Sequence, residues 1–178
     1  MKILNLHGFL GIADNKNYKA LCNIISPENI ISPQLKYKET SPSALLEQLS
    51  DMVDTDDFIF VGQSLGCWYA DKLSRKFKRL CILTNPCYYP HELELITGSD
   101  IPAEYVEQYR EMSVSTQNER AYTLCSDADT VLPDNYQNCK KLSEQVVRVH
   151  GSHSTIENVG EHISELLTQI QNDRLLLF

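Results

Sequence analysis

Short hydrophobic runs alternate with longer amphipathic segments along the chain. Runs of four or five mostly apolar residues bounded by polar ones are typical of buried strands. We expect six such strands, at 3–6, 29–32, 58–61, 80–84, 121–125 and 146–149. Their alternation with helical segments predicts an α/β fold with a doubly wound, mostly parallel sheet of about six strands, covered by helices on both faces.

The amphipathic segments between these runs supply the helices. Ser41 followed by Pro42 is a typical helix start, and Leu45, Leu49 and Val53 then share one helical face. Further helices are predicted over 16–25, directly after the third strand, and over 155–170, where apolar residues recur at helical spacing. Because no linker or repeat divides the pattern, we expect residues 1–178 to form a single domain.

One long segment interrupts the alternation. Residues 85–120, about 36 in number, separate the fourth and fifth strands and include a helical stretch near 102–112. This segment is predicted to be a small cap insertion over the site, because loops at this edge of a sheet usually shape it. Its four tyrosines are then expected to line an acyl or alcohol pocket: Tyr88, Tyr89, Tyr105 and Tyr109. The alternative is an ordinary crossover helix with surface tyrosines.

Net charge and cysteine usage limit the binding partners and the cellular compartment that we expect. The net charge of −8 makes nucleic acids and anionic membrane surfaces unexpected partners. The N-terminal hydrophobic run becomes polar at Asn5, too early for a signal peptide, and no segment is long enough to span a membrane. The six cysteines form no C-x-x-C pair. We therefore predict a reduced, cytoplasmic protein.

The last four residues, 175–178, are apolar and follow a polar stretch. Left exposed, they would form an apolar patch. We expect them to pack on the chain's own surface or to form a homodimer contact, and a frayed terminus is the remaining alternative. A monomer and a homodimer are therefore both compatible with the sequence.

The segment from Gly62 to Gly66 reads Gly-Gln-Ser-Leu-Gly and lies between a predicted strand and a predicted helix. This pattern in this context is typical of a nucleophile elbow, in which the serine adopts strained backbone angles and glycines on both sides make room for the turn. Ser64 is therefore the candidate nucleophile. The backbone N–H of Leu65, at the start of the following helix, is a candidate oxyanion donor.

A serine nucleophile needs a base, and in hydrolases with this elbow the order along the chain is serine, acid, histidine. Four histidines follow Ser64. His162 falls within the closing helix and His91 within the predicted cap, which leaves His150 and His153 beside the sixth strand. We assign His153, because it follows a glycine and a serine on a loop that can bring the imidazole over the sheet edge. His150 continues the strand.

The acid is expected after the fifth strand, where two aspartates lie close together. Asp127 is interpreted as a residue that caps a turn. Asp129 is favoured as the acid, because it precedes Val131, which can anchor the loop in the core. Its role is to accept a hydrogen bond from Nδ1 of His153.

The second oxyanion donor is expected on the loop after the first strand. Gly8 allows that loop to turn toward the elbow, so that the backbone N–H of Phe9 can meet that of Leu65. His7 is interpreted as a structural residue. No metal or nucleotide cofactor is expected, because the sequence contains neither ligand spacing for a metal nor a Gly-rich phosphate loop.

Four segments occur in the order seen in α/β-hydrolases, and they span nearly the whole chain. They are Leu6-His7-Gly8-Phe9, Gly62-Gln63-Ser64-Leu65-Gly66, Asp129-Thr130-Val131-Leu132-Pro133 and Gly151-Ser152-His153. Within that superfamily the chain most resembles the small bacterial YqiA-like serine esterases, which carry an Asn-Pro after the strand that follows the elbow, as Asn85-Pro86 does here. Cys67 and Ser126 depart from the pattern, since glycine is common at both positions.

The resemblance implies serine esterase or thioesterase activity on a small-molecule acyl substrate, with Ser64 as nucleophile, His153 as base and Asp129 as acid. Two other functions are compatible with the same residues. An acyltransferase would use the same acyl-enzyme, and a degenerate hydrolase would serve as a binding module for a peptide or lipid.

Overall fold

A computed structural model of the chain describes residues 1–54, 57–133 and 135–175. Its centre is a seven-stranded sheet with the order β2-β1-β3-β4-β5-β6-β7. The strands are β1 Lys2–Leu6, β2 Ile30–Ile31, β3 Phe58–Gln63, β4 Cys81–Thr84, β5 Asn118–Ala128, β6 Ser143–Ser152 and β7 Thr155–Ile156. Neighbouring strands are parallel except for β6 and β7, which are antiparallel.

Helices cover both faces of this sheet. They are α1 Lys16–Leu21, α2 Pro42–Asp51, α3 Leu65–Phe77, α4 Glu94–Thr97, α5 Ala103–Glu111, α6 Asn135–Leu142 and α7 Val159–Leu175, with 3-10 helices at Pro27–Asn29 and Pro90–Glu92. Buried residues of α1 and α7 share one hydrophobic cluster, and those of α2, α3, α5 and α6 share the other. The predicted α/β fold with a covered, mostly parallel sheet is confirmed.

The central strands are buried on both faces, which explains their continuous hydrophobic runs. In β3, Phe58 and Phe60 pack toward α2 and α3, whereas Ile59 and Val61 pack toward α1 and α7. Parallel pairing places the carboxyl ends of β1, β3, β4 and β5 at one edge of the sheet. That edge is where open α/β sheets form their binding sites.

Local sequence signals account for several of the helix boundaries. Ser41 caps α2, because its Oγ accepts a hydrogen bond from the Ala44 N–H at 3.3 Å, and Pro42 is the first helical residue. The helical stretch predicted near 102–112 is α5. The first helix ends at Leu21, before the predicted boundary at 25.

The structure differs from the expected elements mainly near its C-terminal end. The closing helix begins at Val159 and not at 155, because Thr155 and Ile156 form a seventh strand that pairs with Ser152 and Gly151. A strand of two residues is too short to produce a visible alternation of polar and apolar positions. The helix α6 was not expected from the sequence either.

Helix α5, in the middle of segment 85–120, is tied to the rest of the molecule. The hydroxyls of Tyr109 and Tyr69 lie 2.8 Å apart, and Oε1 of Gln108 accepts hydrogen bonds from the N–H and the hydroxyl of Ser43 at 3.2 and 3.0 Å. These contacts join α5 to α3 and to the start of α2.

All six cysteines are free thiols. Within the described part of the chain, no helix combines the length and the apolar character that crossing a membrane requires. The side chains of the apolar tail 175–178, for which self-packing or a homodimer contact is predicted, lie outside the described residues.

Candidate active site

The turn between β3 and α3 holds Ser64 in an unusual backbone conformation. Its φ is 51°, in the left-handed region that non-glycine residues rarely adopt. A Cβ added to Gly62 would lie 2.6 Å from Cα of Cys67, and one added to Gly66 would lie 2.2 Å from the carbonyl oxygen of Leu6. Both positions therefore require glycine, as expected for a nucleophile elbow.

Ser64, His153 and Asp129 form one hydrogen-bonded series. Nε2 of His153 lies 2.8 Å from Oγ of Ser64, and Nδ1 lies 2.8 Å from Oδ2 of Asp129. Because a carboxylate can only accept, Nδ1 carries the proton that it donates to Asp129. Nε2 is then free to accept from the serine hydroxyl. The side chains of His153 and Asp129 are 12% and 3% exposed, so the series is largely shielded from water.

The second oxygen of Asp129 is held by the loop that follows it. Oδ1 accepts hydrogen bonds from the backbone N–H groups of Val131 and Leu132 at 3.0 and 2.9 Å. Burial raises the pKa of the Asp129 carboxyl, but the hydrogen bonds from His153, Leu132 and Val131 outweigh it and hold the pKa below its usual value. The carboxylate is therefore ionised at neutral pH.

His153 occupies the turn of a tight hairpin. Ser152 at the end of β6 pairs with Thr155 at the start of β7, so that His153 and Ser154 are the two residues of the turn. Because β7 pairs back onto β6, the turn is fixed at both ends. The sequence indicated a loop here but not the hairpin.

The other candidate residues lie apart from Ser64. His150 hydrogen-bonds through Nδ1 to Oδ2 of Asp127 at 2.6 Å, and its side chain is 84% exposed. The hydrogen bond from His150 lowers the pKa of the Asp127 carboxyl. His91 lies 3.5 Å from the carboxylate of Glu92, beyond β4. His162 is on α7.

The loop after β1 approaches the serine closely. A Cβ added to Gly8 would lie 3.0 Å from Cβ of Ser64. Phe9, whose N–H is the predicted second oxyanion donor, is the next residue of this loop. Two hydrogen bonds of the His7 ring hold this loop. Nδ1 donates to the carbonyl of Gly8 at 2.8 Å, and Nε2 accepts from the N–H of Leu35 at 2.8 Å. His7 is 1% exposed, and burial lowers its pKa, which keeps the ring neutral.

Two cavities flank this region. One, of about 260 Å³, lies between segment 86–93 and the loop after Asp129, and its lining includes Tyr88, Tyr89, Leu93 and Leu132. The other, of about 330 Å³, lies beside the loop after β1, and its lining includes Phe9, Leu10, Tyr37 and Lys38. Both are near the lower end of the size range of small-molecule pockets.

The four tyrosines of segment 85–120 fall into different environments. Tyr88 and Tyr89 line the smaller cavity, although the Tyr88 hydroxyl is buried against Oγ of Ser143 at 2.7 Å. Tyr109 is 1% exposed and packs edge-on against Trp68, so it belongs to the core. Tyr105 is partly buried against the same core.

Buried polar and thiol groups next to the elbow were not assigned roles from the sequence. The Cys87 N–H donates to the carbonyl of Ser64 at 3.1 Å, and burial raises the pKa of the Cys87 thiol to about 12, so this thiol is not a competing nucleophile. Ser126, where glycine is common, donates its N–H to Oδ1 of Asn85 at 2.7 Å. Cys67 is buried in the core beneath the elbow. The Asn-Pro dipeptide was the only signal for Asn85.

Comparison with known proteins identifies the family. Residues 2–170 match the family described as Uncharacterised protein family (UPF0227). The chain belongs to this family. The resemblance to YqiA-like proteins is thereby confirmed. No curated protein sequence matches the chain.

Solved structures share the fold at low sequence identity. Alpha/beta hydrolase domain-containing protein 10 from mouse superimposes with a TM-score of 0.72 at 15% identity, over 98% of this chain and 90% of the mouse chain. MGS-MChE2, an alpha/beta hydrolase enzyme from the metagenome of lagoon sediments in Morocco, gives 0.67 at 16%, over 98% and 91% of the two chains. The type II thioesterase BorB gives 0.62 at 14%, over 96% and 89%. The chain therefore has the α/β-hydrolase fold.

Among the residues that the structure describes, no group of three or more His, Cys, Asp or Glu side chains is arranged to hold a metal ion.

Proposed function

We propose that the chain is a serine hydrolase that cleaves carboxylic esters or thioesters through an acyl-enzyme on Ser64. The observation that carries the proposal is the series Ser64–His153–Asp129, with 2.8 Å at both links. A serine hydroxyl alone is a weak nucleophile, and an imidazole oriented by a buried carboxylate is an arrangement that activates it.

In the acylation half-reaction, Oγ of Ser64 attacks the carbonyl carbon while Nε2 of His153 takes the hydroxyl proton. The ionised Asp129 stabilises the imidazolium that forms. The tetrahedral intermediate then collapses and breaks the bond to the leaving alcohol or thiol, which receives the proton from Nε2. In the second half-reaction His153 deprotonates a water molecule, which attacks the acyl-enzyme and releases the carboxylic acid and Ser64.

The backbone N–H groups of Phe9 and Leu65 are the proposed oxyanion donors. Leu65 is the first residue of α3, so its N–H has no acceptor within the helix and lies at the end that favours negative charge. The close approach of Gly8 to Ser64 supports the role of Phe9. One such donor typically contributes about 10²- to 10³-fold to kcat.

Segment 85–120 is proposed to act as a small cap, with the 260 Å³ cavity beneath it as the site for the acyl or alcohol group. Its lining is mixed: Tyr89 and Leu93 supply apolar surface, and Glu92, Asn135 and Asn138 supply polar groups. One observation supports the location: Val131 and Leu132, which line the cavity, donate their N–H groups to the carboxylate of Asp129.

The test uses Ser64→Ala and a panel of p-nitrophenyl esters of rising chain length beside acyl-CoAs. We expect the variant to lose activity by about a million-fold, as for other triad nucleophiles, with an unchanged thermal midpoint. A fluorophosphonate probe should label wild-type Ser64, located by mass spectrometry. Activity in a clean Ser64→Ala preparation above about a tenth of wild type would contradict the assignment.

The same experiment separates the alternatives. A degenerate hydrolase that serves as a binding module would leave Ser64 unlabelled, because labelling requires an activated hydroxyl. An acyltransferase would be labelled but would transfer the acyl group to an added alcohol or amine in preference to water.

A further inference from the structure

We propose that Asn85 is a positioning residue that holds the His153 turn at hydrogen-bond distance from Ser64. The inference rests on the proposed function, in which His153 is the general base. Asn85 directly follows β4 and is 1% exposed, so it acts through the groups that it binds inside the protein.

The backbone at Asn85 turns the chain off the end of β4. Its φ is 47°, a left-handed conformation that asparagine tolerates better than most residues. Its N–H donates to the carbonyl of Leu124 in β5 at 2.9 Å. The backbone of Asn85 is therefore bound to the neighbouring strand independently of its side chain.

The carboxamide then joins two separate segments. Oδ1 accepts from the Ser126 N–H at 2.7 Å, and Nδ2 donates to the carbonyls of Ser152 and His153 at 3.0 and 2.9 Å. Oγ of Ser126 lies 2.8 Å from Nδ2 and donates to the carbonyl of Ser152 at 3.0 Å, which closes the network. One side chain thus binds the end of β5 and both carbonyls at the start of the hairpin turn.

The same connection also reaches the nucleophile. Two residues after Asn85, the Cys87 N–H donates to the carbonyl of Ser64 at 3.1 Å. Residues 85–87 therefore bind both the residue that carries the nucleophile and the turn that carries the base. Removing the donor at Nδ2 takes this hydrogen bond from the His153 carbonyl and leaves the Ser152 carbonyl with Oγ of Ser126 as its side-chain donor. A shift of His153 by about 1 Å can cost about 10²-fold in rate.

Two substitutions at Asn85 isolate this donor. Asn85→Gly removes the carboxamide but accepts the positive φ. Asn85→Asp keeps the shape and the acceptor for Ser126, but a carboxyl group carries at most one O–H and cannot donate to both carbonyls. We expect kcat for a p-nitrophenyl ester to fall about 10²-fold in both variants, with KM changed by less than about threefold. The rate of fluorophosphonate labelling should fall in parallel with kcat.

A matched control lies at the opposite end of β5. Asn118 is also buried, at 3% exposure, and its Nδ2 donates to Asp71 and Ser74 at 2.8 and 3.1 Å. Asn118→Ala should lower the thermal midpoint without lowering kcat of the folded fraction, because it acts on stability and not on His153.

The outcomes separate this inference from the proposed function. A loss of kcat in both Asn85 variants that exceeds the loss in Asn118→Ala, at a similar thermal midpoint, supports the inference. An active, labelled wild type with Asn85 variants as active as the Asn118 control overturns the inference and leaves the proposed function intact. A wild type that is neither active nor labelled overturns both. If Asn85→Gly does not fold, Asn85→Asp decides by the same criteria.

Discussion

Two aspartate–histidine pairs lie side by side at the carboxyl end of the sheet. Asp129 with His153 is buried and reaches Ser64, whereas Asp127 with His150 is exposed. This duplication provides a prediction with its own control. Asp129→Asn should lower kcat about 10⁴-fold with little change in KM, because the amide favours the wrong tautomer of His153.

The control is Asp127→Asn, which removes the same charge from the exposed pair. It should lower kcat by less than about tenfold, since His150 does not contact the serine. Steady-state kinetics of both variants on one ester show which aspartate acts as the acid. The reverse ranking would transfer the role of the acid to Asp127.

The sequence favours His153 over His150 as the base because glycine and serine mark the end of a strand. The pairing of Asp127 with His150 could not be predicted in the same way. It depends on the register between β5 and β6, where Ser126 pairs with Val149 and the pairing then shifts by an irregularity before Ala128. Such a bulge re-aims the side chains near it and has no clear sequence signal here.

At the scale of elements, Tyr109 supplies two aromatic contacts between α5 and α3. Tyr109 packs against Trp68 and Tyr69 and shares a hydrogen bond with the Tyr69 hydroxyl. Tyr109→Phe should lower the free energy of unfolding by about 1 kcal/mol, the usual net value of one hydrogen bond, and should leave kcat unchanged. Urea denaturation together with ester hydrolysis measures both quantities.

The matched substitution on the same helix is Tyr105→Phe. Tyr105 is partly buried, and its hydroxyl makes no hydrogen bond within the described residues. This variant should keep the wild-type stability within about 0.5 kcal/mol. An equal loss of unfolding free energy in Tyr109→Phe and Tyr105→Phe would mean that the Tyr69–Tyr109 hydrogen bond does not stabilise the helix.

Elements with strong periodicity were predictable from the sequence, and those made by tertiary contacts were not. The strands β1, β3 and β4 are short buried runs, and α2 begins at a recognisable cap. Helix α6 is mostly polar and buries Asn135, Cys139 and Leu142, so it carries little amphipathic signal. The two-residue strand β7 is defined by its pairing with β6 and has no periodic pattern of its own.

At the scale of the whole molecule, one buried histidine couples stability to pH. Burial lowers the pKa of His7 from its usual 6.5, because a protonated ring would lose its hydration, and the hydrogen bond to the Gly8 carbonyl offsets this only in part. The unfolded chain therefore binds a proton more readily than the folded one. The resulting stability is fully present above pH 6.5 and is lost as the pH falls from there toward the lower pKa of the folded state.

The measurement is the free energy of unfolding by urea at several pH values between 5 and 7.5. The wild-type value should rise with pH across this window, and the His7→Gln variant, which keeps a donor and an acceptor, should give a flatter curve. Parallel curves for the two proteins would mean that His7 does not cause the pH dependence.

The hydrogen bond between Ser64 and His153 joins residues 89 positions apart. Ribosomal synthesis proceeds at about 5–20 residues per second, so roughly 4 to 18 s pass between the incorporation of the two residues. During that interval the elbow can form with its strained serine, but His153, the proposed base, has not yet been synthesised. In the nascent chain the proposed nucleophile is therefore without its base. We expect reactivity toward a fluorophosphonate to be acquired late, with the closing of the β6–β7 hairpin.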